Sequence, residues 1–393
     1  MTTAGSVQAV AAPANRWAIL GAYALLAACT QLLWLSFAAV DTRTAAALHV
    51  DVGTVGDLAA LFPFVYIVLA LPTGRWLDSH FAPALTTGAM LTAAGAVVRL
   101  AAPASFGVQL AGMLVIAAGQ PLVLNSITKV AAHYFPPRER AMAISIGTAA
   151  LFVGILAAVL SAGPLMDAGG LPLLLLAQAA PAVLAAVLVT MTSRIRPAFA
   201  DDPAVGLSLR WLARDRFMWT LAFLVFIGMG TYNTLATWLQ PILDNYGEGA
   251  AAGNLIALLT FAGVIGAATL PSAVAARDQR RTMLVAALVL SGVAFGAMAA
   301  IHNVVWLGVW LFADGVLLLA CLPVVLDWSE VHAGPERQGA AVGFLMMAGN
   351  LGGLLLVLAV QPAIGNAYIA LGIMAVAALV GIPVALRLPA RTR

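Results

Sequence analysis

Apolar residues in this chain come in blocks of about 20. That is the length a helix needs to cross a hydrocarbon core of roughly 30 Å. Twelve such blocks fall at 17–41, 55–77, 83–101, 106–132, 140–162, 170–192, 217–241, 251–276, 282–300, 303–327, 339–361 and 365–387. Inside lipid every backbone polar group needs a partner within the chain, and no β-barrel alternation is present, so each block reads as a helix. Charged residues make up only 9% of the 393, against about 25% in soluble domains. A soluble protein of this size could not cover its surface with so few charges. The expected fold is therefore an all-α membrane protein of twelve transmembrane helices.

The basic residues fix an orientation. With the N-terminus in the cytoplasm, 17 of the 19 Lys and Arg residues fall on the inner side, leaving only Arg43 and Arg99 outside. Positive charge is retained on the cytoplasmic side of membranes, so both termini are expected there, in a multi-pass protein of the cell (inner) membrane. The net charge of +3 follows from this bias and does not point to nucleic acid. Residues 1–15 read as a disordered tail and 389–393 as a C-terminal tail. The polar stretch 193–216 reads as a cytoplasmic linker between two halves, 16–192 and 217–388.

Those halves read as repeats. Leu71-Pro72 at the end of the second helix matches Leu270-Pro271 at the end of the eighth, 199 residues on. Glu139, in Pro137-Arg138-Glu139-Arg140, matches Glu336, in Pro335-Glu336-Arg337, 197 residues on. Two anchors in equivalent loops point to internal duplication. Parallel six-helix repeats place a substrate site near the bilayer midplane between them.

Two loops carry a resemblance. Gly74-Arg75-Trp76-Leu77-Asp78 resembles the loop between helices 2 and 3 of the major facilitator superfamily, and Tyr134-Phe135-Pro136-Pro137-Arg138-Glu139-Arg140-Ala141 is similar to that superfamily's loop between helices 4 and 5. After Asp78 the superfamily continues with basic residues, whereas Ser79-His80-Phe81 follows here. A narrower resemblance is to the feline leukaemia virus subgroup C receptor-related carriers, associated with haem and choline transport. It rests on Asn15-Arg16-Trp17-Ala18, Gln31-Leu32-Leu33-Trp34, Leu77-Asp78, Lys129 through Phe135, and Gly228 through Tyr246. In that family a helix-1 Trp, matched by Trp34, contributes to a cage for a quaternary ammonium group. Two family glutamines align with Phe152 and Asn350, so the sequence departs from the family there. The resemblance implies a fold of two pseudo-symmetric six-helix halves and solute transport by alternating access.

The residues themselves nominate a site. Asp314 lies near the bilayer centre in the tenth helix, where a carboxylate marks an ion, proton or substrate path, and the repeat offset places apolar Ile116 opposite it. It is the candidate for proton coupling or for holding a cationic part of the substrate. Trp34 and Tyr232 are 198 residues apart, as are Phe152 and Asn350. The two aromatics are expected to face each other across a cavity, where a ring face attracts apolar or cationic groups. Gln31, Tyr66, Gln120, Asn125, Asn233, Thr237 and Trp238 form a wider polar set that either lines this cavity or bonds between helices.

At the cytoplasmic side Asp78 is expected to latch onto the N-terminus of the eleventh helix near Gly339, where the helix dipole favours negative charge. Arg75, Arg138 and Arg140 are candidate gate partners. Lys129, the one lysine, either snorkels to the headgroups or serves the inner gate. Arg43 and Arg99 could meet Asp41 or Asp57 outside.

The sequence holds no GxxxxGK[ST] motif and no cysteine or histidine spacing suited to a metal; Cys29 and Cys321 both lie in apolar blocks. Neither an enzyme nor a cofactor protein is expected. The expected function is a monomeric secondary transporter of a neutral, zwitterionic or cationic organic solute. A drug or metabolite exporter, an uncoupled facilitator and, more distantly, a membrane receptor on a carrier fold are the alternatives.

Overall fold

The computed structural model describes residues 15–199 and 209–390. The tails at 1–14 and 391–393, and the middle of the linker, lie outside the described residues. Fourteen α-helices follow in order: α1 Arg16–Trp34, α2 Asp41–Leu48, α3 Val52–Ser79, α4 Phe81–Val98, α5 Phe106–Leu124, α6 Ile127–Tyr134, α7 Pro137–Thr192, α8 Arg210–Arg214, α9 Arg216–Asp244, α10 Ala252–Ala276, α11 Arg280–Ala300, α12 Val304–Ala333, α13 Gln338–Val360 and α14 Ala367–Ala385. Eleven of them are long and apolar enough to cross a membrane. One of these, α7, has 56 residues, or about 84 Å if straight. It is interrupted at Gly169 and at Gly170, whose φ is +64°. Glycine takes that left-handed conformation without the Cβ clash other residues meet. The two arms of α7 are separate spans, and the total is twelve.

Short polar residues set where several spans begin. The side chain of Asp51 accepts from Thr54 N, Asp215 from Phe217 N and Met218 N, Asn303 from Val305 N and Trp306 N, and Asn366 from Ile369 N. Each satisfies amides that a helix start leaves without partners.

The spans form two bundles of six. In the first, α1 packs on α7, α4 on α5 and α3 on α5; in the second, α9 packs on α13, α10 on α12 and α11 on α14. The bundles meet along α3 against α13 and along α7 against α10. Small residues allow this closeness: a Cβ on Gly74 would collide with the backbone of Gly339. Large apolar side chains such as Phe64, Leu160, Val305 and Val376 point outward, as a lipid-facing surface requires.

The structure differs from the apolar blocks in three places. The first helix stops at Trp34, and 35–40 form turns before α2. The fourth span is broken at Asn125–Ser126 into α5 and α6. The tenth span, α12, runs on to Ala333. Hydropathy reports neither a local break nor a helix that outruns the membrane.

Candidate functional site

A cavity of about 120 Å³ lies between the bundles. The first bundle contributes Gln31 and Trp34 of α1, Tyr66 of α3, Gln120 of α5 and Phe152 of α7; the second contributes Tyr232 and Asn233 of α9, Cys321 of α12 and Asn350 of α13. No charged side chain is among the lining residues.

The aromatic hydroxyl and indole groups are turned back into the protein. Trp34 Nε1 donates to Ala59 O at 2.9 Å. Tyr66 Oη donates to Asn125 Oδ1, and Tyr232 Oη shares a hydrogen bond of 3.1 Å with Thr260 Oγ1. With their polar atoms tied back, these residues offer the cavity mainly ring surface. Tyr232 lies edge-to-face with Phe152 across the two bundles, their centroids 6.3 Å apart, so its aromatic neighbour is Phe152 rather than the expected Trp34. The polar capacity comes from amides. The side chains of Gln31, Gln120 and Asn233 make no hydrogen bond among the described residues, whereas Asn350 Nδ2 is held by Met346 O at 2.9 Å. The site is thus an uncharged, aromatic chamber with amide groups free to bond a ligand.

Asn125 and Trp238 sit elsewhere. Asn125 is fully buried behind the cavity wall, and Trp238 Nε1 donates to Val357 O at 2.9 Å. Thr237 is exposed, its hydroxyl bonded to Asn233 O. Asp314 is fully buried, yet it is not among the lining residues. Ser291 Oγ donates to its Oδ1, and Oδ2 meets no partner among the described residues. Leu318, one turn on, reaches the cavity, so the Asp314 carboxyl lies one helical turn beyond the chamber wall. Asp314 therefore does not itself line the cavity in this conformation.

The sequence reading passed over Met229, Leu318 and Leu322, which line the cavity. Each lies 198 residues after a lining residue of the first half: Gln31, Gln120 and Leu124 respectively. The offset that paired Trp34 with Tyr232 was the available signal.

Below the cavity, at the end that carries the linker, the bundles are latched. Asp78 Oδ1 accepts from Gly339 N at 2.8 Å, and Oδ2 from Ala340 N at 2.9 Å, in the first turn of α13. Lys129 Nζ stands 3.1 Å from Asp78 Oδ1 and is almost fully buried, so it does not snorkel. Arg140 does not join Asp78. It reaches across to Glu330 of α12 at 2.8 Å and also donates to Ala132 O and Phe135 O. Arg75 is exposed, and Arg138 is exposed with only Glu139 at 3.8 Å. Within the second bundle Arg280 pairs with Asp327 at 2.7 Å.

At the far end neither arginine meets Asp41 or Asp57. Arg43 pairs with Asp167. Arg99 is buried, donating to Gln109 Oε1 and Ser36 Oγ, both at 3.0 Å, with its guanidinium over the Phe37 ring. Their partners come from the α7 break and from α5, which the α4–α5 and α1–α7 packing brings close.

Comparison with known proteins places this architecture. The family model described as the Major Facilitator Superfamily matches residues 19–357. Solute carrier family 49 member A3 of Danio rerio is 28% identical over 377 residues, covering 88% of this chain and 78% of that protein. Among solved structures, a Major Facilitator Superfamily transporter, FucP, in the outward conformation aligns with a TM-score of 0.74 and 17% identity over 94% of this chain and 99% of that one. A bacterial homologue of the iron transporter ferroportin in an outward-facing state aligns with a TM-score of 0.77 and 14% identity, covering 95% of this chain and 98% of that one. At such identities the solved structures establish the fold alone.

Proposed function

The chain belongs to the Major Facilitator Superfamily, and on that premise we propose that it is a secondary transporter carrying a small organic solute through the cavity between its two bundles. The observation that carries this reading is the lining: rings and free amides from both bundles, with no charged side chain. Such a surface suits a neutral solute or a cation whose charge is spread out. Ring faces stabilise a desolvated cation by about 2 kcal/mol, while amides bond polar groups of either sense. An anion would find no Arg or Lys there to compensate it. The relative from solute carrier family 49 supports the narrower kinship with the feline leukaemia virus receptor-related carriers. Phe152 and Asn350, in place of that family's two glutamines, change the polar contacts available and keep choline and haem as substrates to be tested.

A thermal-shift screen of metabolites against the purified protein tests the reading, because a ligand that binds only the folded state raises its stability. Replacing Trp34 by alanine removes part of the chamber wall, so the shift produced by a true cavity ligand should vanish. A shift that survives Trp34→Ala places the ligand elsewhere.

We further propose that Asp314 carries a coupling proton. It is a carboxyl buried beside a single hydroxyl with no cation partner, and such a group in a membrane interior is retained for a function. Since it stands outside the chamber, coupling would run through movement of α12, not through an ion pair with the solute. Uptake into proteoliposomes by Asp314→Asn should lose its dependence on the pH gradient. An unchanged dependence would instead favour an uncoupled facilitator, which the separation of Asp314 from the cavity also accommodates. The linker end is then the cytoplasmic end, as the distribution of arginines predicts.

A further inference from the structure

The fourth span breaks between α5 and α6, and the residue at the break is Asn125, the C-cap of α5. Both donors and one acceptor site of its amide are used. Its Oδ1 accepts from Tyr66 Oη, and its Nδ2 donates to Ala70 O at 3.0 Å and Thr73 Oγ1 at 3.2 Å. Each partner has a different duty. The Tyr66 ring lines the cavity. Ala70 is one of the points where α13 of the opposite bundle packs closely: a Cβ on Gly343 would collide with Ala70 O and lie 3.2 Å from Asn125 Nδ2. Thr73 precedes Gly74, which meets Gly339 in the same way. Four residues beyond Asn125, on α6, Lys129 holds Asp78.

We propose that Asn125 is the positioning residue that transmits the state of the cavity to the latch, joining the Tyr66 ring to the stretch of α3 and α6 that holds α13. A solute displacing the Tyr66 ring pulls the hydroxyl from Asn125 Oδ1. A buried amide left with a lone acceptor is unfavourable, and the arrangement that relieves it is separation of α13, which lets water reach Asn125 and Ala70 O. Because α5 and α6 are not one rigid rod, the shift turns α6 and draws Lys129 away from Asp78. The second bundle has no such device. The offset of 198 from Asn125 leads to Pro323, which has no polar side chain, inside the continuous α12.

This inference rests on the alternating-access reading, and its test needs no solute. Spin labels are placed at the exposed positions Arg138→Cys and Glu336→Cys, one on each bundle at the linker end, in a background with Cys29→Ala and Cys321→Ala. Electron–electron distances then report opening directly. Lys129→Gln, which removes the cation that holds Asp78 at the latch, should lengthen them. Tyr66→Phe and Asn125→Ala should lengthen them too, with a roughly five- to tenfold fall in the closed-to-open ratio, as the loss of a buried hydrogen bond implies. Thr92→Ala, which removes a buried hydroxyl bonded to Gly88 O within α4, should leave them unchanged and so controls for general loosening. If Lys129→Gln opens the linker end while Tyr66→Phe and Asn125→Ala keep wild-type distances, the coupling role is wrong. If Lys129→Gln also stays closed, the latch reading falls and the coupling falls with it. Should Asn125→Ala fail to fold, Tyr66→Phe decides, supported by Asn125→Asp, which keeps the acceptor for Tyr66 and loses the two donations.

Discussion

The fourth span of the first bundle and its counterpart in the second, α12, occupy equivalent places and have taken opposite characters. The first is broken, with four buried polar residues at and below the break: Asn125, Ser126, Thr128 and Lys129. The second is a continuous helix of 30 residues. It carries an isolated carboxyl at Asp314, at the level where the first has Ile116. Lower down the two are charge-inverted. Lys129 and Asp327 are 198 residues apart, and each finds its opposite charge inside its own bundle, Asp78 and Arg280 respectively. Asp78 also reaches across, to the amides of α13. Duplication supplied two copies of one scaffold. The broken copy suits mechanical coupling between cavity and latch, and the rigid copy suits holding a buried ionisable group in place.

The sharpest way to break this comparison is to unpair the two inverted charges. Lys129→Ala strands Asp78, and Arg280→Ala strands Asp327; leaving one buried charge uncompensated is destabilising by about 3–5 kcal/mol. Thermal unfolding in detergent should show comparable losses for both. Only Lys129→Ala should also open the linker end, since Asp78, unlike Asp327, is bonded to amides of the opposite bundle. Equal opening by Arg280→Ala would erase the distinction. Next in size is the exchange of characters at mid-membrane. Ile116→Asp puts a carboxyl into an apolar setting, at about 2.5–3.5 kcal/mol for an aspartate at a helix centre. It should lower stability by that order without conferring pH-dependent uptake, because no hydroxyl equivalent to Ser291 is bonded there. The smallest effect separates the two cavity tyrosines. Tyr66→Phe strands Asn125 Oδ1, a loss of about 1–3 kcal/mol. Tyr232→Phe strands little, since Thr260 Oγ1 also donates to Ile256 O, and about 0.5 kcal/mol is expected from the net value of one such bond. Equal shifts in midpoint would mean that the Asn125 junction is not special.

Much of this architecture was legible in the sequence because lipid imposes it. Apolar length and arginine placement are set by the bilayer itself, and the repeat offset is a property of the chain alone. The same offset reached the cavity, since residues equivalent by duplication line one chamber: Trp34 and Tyr232, and Phe152 and Asn350. What escaped was decided by contacts between helices distant in sequence. The break at Asn125–Ser126 lies in an unbroken apolar block and depends on Tyr66 and on the α3 backbone, more than 50 residues away. Depth alone could not tell whether Lys129 would snorkel or pair, because the answer lay in the direction of Asp78. Asp314 shares a helical face with Leu318 and Leu322, which line the cavity, yet it stands one turn further along α12, bonded to Ser291 of α11; hydropathy does not report how far along a helix a chamber extends.

Cys321 lines the cavity and is partly exposed, whereas Cys29 is buried in α1. The wild-type chain thus carries its own reporter of which way it faces. A membrane-impermeant thiol reagent added to one side of sealed vesicles can reach Cys321 only when the chamber opens to that side. The ratio of labelling rates from the two sides reads the resting orientation of the carrier without a single mutation.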